Sequence, residues 1–224
     1  MATTSAAAQL YIHKVCPYAH RAYLAATEKG LIAKGLVEIV EVSLPTPDWY
    51  NKEVNPRETV PALRLANGQV VPESLIVVQY LDDAFPDVPL LPKDPKDRAD
   101  VRAFVADFDS AIGGLYQILR EKDEAARAAL VKSALDDIAY IERALAAKSA
   151  GPFFLGEQFS YADIAMLPFI DRFRYTLLAH RGVDILANAP RLSALIAAAD
   201  QRPSFKATAL SKDSYVSYYK SYAQ

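Results

Sequence analysis

The residues best suited to chemistry begin at Cys16, the only cysteine in a chain of 224 residues, and run through Pro17, Tyr18, Ala19, His20 and Arg21. Ahead of them, Gln9 to His13 alternates polar and apolar side chains and is rich in β-formers; behind them, Pro17 to Lys29 carries a helical pattern closed by Gly30. Proline is favoured as the first helical residue, so the spacing predicts Cys16 at the N-cap of a helix. Unpaired backbone N–H groups and the positive end of the helix dipole there favour a thiolate over a thiol, which makes Cys16 a candidate nucleophile. Ala19 stands where a Cys-x-x-Cys pair would place its resolving thiol, so any disulfide made by Cys16 is with an outside thiol. A free cysteine is more often a buried small hydrophobe; the strand–Cys–Pro–helix setting argues the other way. His20, four residues on, shares a helix face with Cys16 and is expected to be a partly exposed polar residue rather than a base. His13 and His180 carry no distinguishing signal.

Two further places matter in combination with Cys16. Val60-Pro61 opens a predicted strand, where a proline fits only at an edge position or after a cis peptide, and either leaves the Val60 backbone able to hydrogen-bond a ligand. Pro72-Glu73-Ser74 ends a hairpin and starts a helix, setting a carboxylate and a hydroxyl beside fresh helix N–H groups, a seat for an amino-acid head group. Taken alone, Glu73-Ser74 is more often a simple cap.

These residues need a scaffold, and the pattern around them supplies one. Val37 to Val42 reads as a strand parallel to the first, completing a βαβ unit. Val60 to Leu65 and Gln69 to Val71, separated by Ala66, Asn67 and Gly68, read as a hairpin, and a helix from about Ser74 to Ala84 follows. This order predicts an α/β thioredoxin-like N-terminal domain over residues 1–84. Pro86, Pro89, Pro92 and Pro95 recur every third residue, as in a stiff connector over residues 85–96. Beyond it, residues 97–224 read as an all-α helical bundle. Val101, Phe104, Val105, Phe108, Ile112, Leu115 and Leu119 follow a 3-4 spacing, as do Val131, Ala134, Leu135, Ile138, Ile141 and Leu145. A third helix begins near Ser160, with Ser160 and Asp163 as a capping box and Pro168 expected to bend it; a fourth runs from about Pro190 to Asp200.

Composition narrows the choice of partner. A formal net charge of −2 with interspersed signs gives no footprint for nucleic acid or anionic lipid, and a small neutral or amphoteric ligand fits better. No window is apolar enough to span a membrane, and Met1 to Gln9 does not read as a secretory leader. One cysteine and three histidines do not make a familiar zinc site, so no metal is expected, and a lone cysteine suits a reducing, cytoplasmic setting.

Cys16-Pro17-Tyr18-Ala19, Asn55-Pro56 leading to Val60-Pro61-Ala62-Leu63, and Glu73-Ser74 followed by Tyr80-Leu81-Asp82 resemble the cysteine-type glutathione transferases, closest to the omega and lambda classes. Phe159 to Ala165 and Pro168 to Phe173 are similar to the lambda pattern, so the likeness covers nearly the whole chain. The resemblance implies that glutathione is the co-substrate, with its sulfur against Cys16 and Pro17-Tyr18, its cysteinyl backbone on Val60 and Pro61, and its γ-glutamyl end on Glu73 and Ser74. Lys52 would meet the glycyl carboxylate. A small hydrophobic or oxidised co-substrate would lie in the aromatic stock of the second half, for which Phe108, Tyr116, Phe169, Arg172 and Phe173 are the candidates. Such enzymes act as monomers or homodimers.

The leading expectation is glutathione-dependent thiol transfer or reduction, of the thioltransferase or dehydroascorbate reductase kind, through a mixed disulfide at Cys16. One alternative is conjugation of glutathione to electrophiles, which needs a hydroxyl donor, for which Tyr11 and Tyr18 are nearby in sequence. The other is a non-enzymatic carrier or scaffold built on the same fold.

Overall fold

The computed structural model describes residues 7–224. The leader-free reading of the N-terminus therefore lies, for residues 1–6, outside the described residues. The chain forms two compact units, one running to Pro89 and reclaiming Pro203–Ala209, the other comprising Leu90–Arg202 and Leu210–Gln224.

The first unit contains β1 (Ala8–Ile12), α1 (Pro17–Glu28), β2 (Val37–Glu41), α2 (Asp48–Glu53), β3 (Ala62–Arg64), β4 (Val70–Pro72) and α3 (Ser74–Ala84). The sheet order is β2-β1-β3-β4. Strand β1 pairs parallel with β2, Leu10 opposite Ile39, and antiparallel with β3, Leu10 opposite Leu63. Side chains alternate across a strand. Leu10 and Ile12 therefore share one face of β1, and Tyr11 points to the other, where its ring centroid lies 5.5 Å from Tyr50 and 6.3 Å from Trp49 of α2. The hairpin between β3 and β4 closes through Leu65 N–H donating to Gln69 O at 2.8 Å, with Gly68 at φ 85°, a conformation that favours glycine.

Helix α1 presents small side chains, Ala19, Ala22, Ala25 and Ala26, all buried, which permits close approach by its neighbours. It ends at Gly30, φ 67°. Just beyond the helix, the buried Lys29 ammonium sits 2.9 Å from Asp82 of α3 and also donates to Val88 O, fixing α1, α3 and the following chain together.

The second unit is helical: α4 (Pro95–Arg120), α5 (Glu124–Lys148), α6 (Tyr161–Arg181), α7 (Pro190–Ala199) and, after an excursion described next, α9 (Lys212–Tyr219) with a short 3-10 turn at Lys220–Ala223. Helix α4 starts at Pro95, two residues before the expected beginning of the helical region at 97, because Pro95 serves as its first residue and Asp94 caps it by accepting from Lys96 N–H and Asp97 N–H. Helix α6 carries the capping box read from the sequence: the Ser160 side chain accepts from the Asp163 backbone, and Asp163 accepts from Ser160 N–H at 2.8 Å. It runs unbroken through Pro168, whose carbonyl accepts from the Arg172 guanidinium, and stops at Gly182, φ 67°.

Between α7 and α9 the chain returns to the first unit as α8 (Pro203–Thr208), which packs on α1. No helix among the described residues is long and apolar enough to cross a membrane, and no group of three His, Cys, Asp or Glu side chains among them is arranged to hold a metal ion.

Candidate functional site

Cys16 is the N-cap of α1, in extended conformation (φ −69°, ψ 118°), with Pro17 as first helical residue. Its N–H donates to His13 O at 2.9 Å and its carbonyl accepts from His20 N–H at 3.0 Å, so the backbone is tied on both sides. The side chain makes no capping bond to the first turn, and the residue is half-buried. Its Sγ lies 3.9 Å from Val60 O, to which the neutral thiol donates. Val60–Pro61 is a cis peptide, and β3, which it precedes, lies between β1 and β4; the edge-strand alternative therefore fails and the cis alternative holds.

A cleft of about 210 Å³ is lined by Tyr18, Thr59, Val60, Pro61, Glu73 and Ser74. Thus five of the predicted residues line one cavity, and Cys16 stands beside it through Val60. Glu73 is the N-cap of α3 and has φ 71°, an uncommon conformation for a residue with a side chain. Ser74 begins α3 and is buried.

Sequence reasoning passed over three contributors. Arg21, 1% exposed, places Nη1 3.5 Å from Ser74 Oγ, and its guanidinium carbon is 5.5 Å from the Tyr18 ring centroid. Arg57 donates from Nη1 to Glu73 Oε1 at 2.7 Å. Thr59 lines the cleft, and its carbonyl is held by Tyr50 OH at 2.7 Å and Asn55 Nδ2 at 2.8 Å. Burial pushes the Tyr50 phenol up to about 12, so it remains a donor throughout the working pH range. The available signals were an arginine five residues after the cysteine and a second one following Asn55-Pro56.

His20 departs from its expected exposure. It is 2% exposed, its Nε2 lies 2.9 Å from Thr208 Oγ1, and its ring stacks on Phe205 at 5.9 Å. Thr208 Oγ1 also lies 2.9 Å from Ser204 O, so the hydroxyl bridges the His20 ring and the α8 backbone, the imidazole tautomer setting which of the pair donates. Helix α8 buries it, and nothing near position 20 announces α8. Lys52 is exposed on α2, 3.9 Å from Asp48, and is not among the residues lining the cleft.

The aromatic stock of the second half is packed as core. Phe169, Arg172 and Phe173 have no solvent exposure and Phe108 has almost none. Phe108 meets Phe169 at 6.2 Å, Tyr116 meets Phe173 edge-on at 4.8 Å, and Arg172 lies 4.7 Å over the Tyr215 ring. The tyrosine-rich C-terminal segment packs on the bundle, with Tyr219 against both Tyr116 and Phe173. Of these candidates only Tyr116 keeps appreciable exposure.

Two family models match the chain: "Glutathione S-transferase, N-terminal domain" over residues 15–84 and "Glutathione S-transferase, C-terminal domain" over residues 99–208. Protein IN2-1 homolog B of Oryza sativa subsp. indica is 38% identical over 84% of this chain and 74% of its own length. Glutathione S-transferase L3 of Arabidopsis thaliana is 33% identical over 95% of this chain and 86% of its own. The crystal structure of glutathione transferase Omega 3C from Trametes versicolor superposes with a TM-score of 0.82, at 30% identity, over 99% of this chain and 91% of that one. The agreement extends through both units and includes the residues that surround Cys16, and it establishes that the chain belongs to the glutathione S-transferase family.

Proposed function

We propose that this protein is a glutathione-dependent thiol transferase in which Cys16 takes up the glutathionyl group. The observation that carries the reading is the sole cysteine, half-buried at the start of α1, next to a cleft lined by Val60, Pro61, Glu73 and Ser74. Helix N-termini favour anions, and a thiolate there is both nucleophile and leaving group.

In the first step the Cys16 thiolate attacks the glutathione sulfur of a mixed disulfide, R–S–SG. The S–S bond of that disulfide breaks, a new S–S bond joins Cys16 to the glutathionyl group, and the acceptor leaves as R–S⁻, reduced. In the second, a glutathione thiolate attacks Cys16–SG, glutathione disulfide departs, and Cys16 is again a thiolate. Val60 and Pro61 would hold the tripeptide's cysteinyl backbone, Tyr18 would flank its sulfur, and Glu73 with Ser74 would seat the γ-glutamyl head. Acceptors are glutathionylated thiols and small oxidised compounds of the dehydroascorbate type. A free thiol as the working group suits a reducing compartment such as the cytosol.

Intact-mass measurement after incubation with glutathione disulfide tests the proposal: one glutathionyl group is expected on the protein and none on Cys16→Ser. Rates on a mixed disulfide and on a chlorinated nitroaromatic separate the alternative. Conjugation of the nitroaromatic with negligible disulfide reduction, retained in Cys16→Ser, would replace thiol transfer by conjugation, for which the hydroxyl of Tyr18 at the cleft is the available donor.

A further inference from the structure

The carboxylate at the far end of the cleft is not alone. Arg57 grips Glu73 Oε1 at 2.7 Å from the loop between α2 and β3, and that loop is held rigidly for the purpose. Asn55, 2% exposed, accepts from Arg57 N–H at 3.2 Å and donates to Thr59 O at 2.8 Å and to Thr59 Oγ1 at 3.2 Å. Tyr50 OH adds a second donor to Thr59 O. Arg57 is therefore carried on a braced turn and not on a loose one. On the inner side, Arg21 reaches Ser74 Oγ from the interior of the unit. Two guanidinium groups thus reach the first residues of α3, Arg57 on the Glu73 carboxylate and Arg21 on the Ser74 hydroxyl, and these three charged side chains sum to a single positive charge, to which the helix N-terminus adds.

We infer that Arg57 is a specificity-determining residue of this seat: it binds the α-carboxylate of the γ-glutamyl head while Glu73 binds the neighbouring ammonium, so the pair reads a zwitterion. The inference rests on the glutathione reading above and deepens it. In the free protein the two side chains satisfy each other; a γ-glutamyl head carries the same two charges on one carbon and exchanges with that contact, ammonium to Glu73 and carboxylate to Arg57. Both side chains are more than half exposed, so neither must be dragged out of a dry interior to make the exchange. A guanidinium offers parallel N–H groups that match a carboxylate edge, which an ammonium does not. Arg57 is a binding residue here and takes no part in the sulfur chemistry.

The test measures KM and kcat of wild type, Arg57→Gln and Arg57→Lys with three thiols: glutathione, 4-aminobutyryl-Cys-Gly, which lacks the α-carboxylate, and glutaryl-Cys-Gly, which lacks the ammonium. For glutathione, Arg57→Gln is expected to raise KM about five- to tenfold with kcat unchanged, the size of a charge-assisted bond discounted for exposure. Arg57→Lys should recover part of that loss. For the 4-aminobutyryl peptide, Arg57→Gln should leave KM within about twofold of wild type, because the group Arg57 reads is missing. With glutaryl-Cys-Gly the full Arg57→Gln penalty should persist.

An equal penalty on all three peptides, or none on glutathione, overturns the inference. A wild-type protein that turns over no glutathione, or a Cys16→Ser variant that turns over at full rate, sinks the thiol-transfer reading instead, and the two failures are told apart by which protein shows them. Wild-type fluorescence of Trp49, the only tryptophan, provides a binding titration with each peptide that does not depend on turnover.

Discussion

Asp163 allows both the sign and the size of an effect to be worked out in advance. Its side chain has no exposure, and its oxygens accept from Phe154 N–H at 2.9 Å, Ser160 N–H at 2.8 Å and Ser160 OH at 2.7 Å. Burial raises the carboxyl from the ordinary 3.8 to about 6, with the three donors opposing the rise. A group whose folded value lies above its unfolded one binds a proton more tightly in the fold. Its contribution to stability is therefore complete below about pH 3.8 and is lost as the pH climbs through 6. Linkage between those two values makes this one group worth about 1.4 kcal/mol more at pH 5 than at pH 8. In Asp163→Asn that dependence disappears, and the amide must also turn an N–H toward one of three donors, costing about 1–3 kcal/mol. Urea unfolding of both proteins at pH 5, 6, 7 and 8 gives the difference, from which the titrations they share cancel. The stability of the variant relative to wild type should fall by about 1.4 kcal/mol between pH 8 and pH 5. A difference that stays flat, or runs the other way, would show that burial does not govern this carboxyl.

Three other outcomes are expected. Lys29→Met should cost about 3–5 kcal/mol, because Asp82 keeps its burial and loses its ammonium, and adding Asp82→Leu should restore most of it in the same urea assay. Gly151→Ala should lower the melting temperature by the equivalent of about 1–3 kcal/mol, since a Cβ there would sit 2.5 Å from the Gly156 backbone, which has no rotamer by which to yield. Thr208→Val should lose about 1–3 kcal/mol by taking the hydroxyl partner from the buried His20 Nε2, while Thr208→Ser, which keeps the hydroxyl, should stay close to wild type by calorimetry.

What could be read from the chain was whatever is written locally. Pro17 after Cys16 marks a helix start because proline's fixed φ and missing N–H both belong there, and the helix begins at Pro17. Asn67-Gly68 marks a turn because Gly68 can take φ 85°, and the hairpin closes there. Ser160 and Asp163 mark a cap through two short-range bonds. What stayed hidden depends on distant partners. The six-residue α2 leaves no signal in the sequence: it has no side-chain cap and is too short to show a period, and it exists because Trp49 and Tyr50 pack on Tyr11. Helix α8 is as short, and α9, eight residues long and capped by Ser211, is still too short to show a clear period. The exposure of His20 was misjudged because Phe205 and Thr208, which cover it, lie more than 180 residues further along. Arg57 went unnoticed because its meaning comes from Glu73, sixteen residues on and across a hairpin.

The return of residues 203–209 to the first unit bears on how the protein is made. A ribosome emits Cys16 before the second unit, yet the wall that closes over its helix, Phe205 stacked on His20 and Ser204 bonded to Glu28, emerges only after residues 90–202 of that unit have been made. The nascent N-terminal half therefore waits with one flank of α1 open to water. A fragment ended at residue 89 would share that defect permanently, so fusions or split reporters that divide the chain near its midpoint should supply the 203–209 strip in trans if they are to recover a native nucleophile.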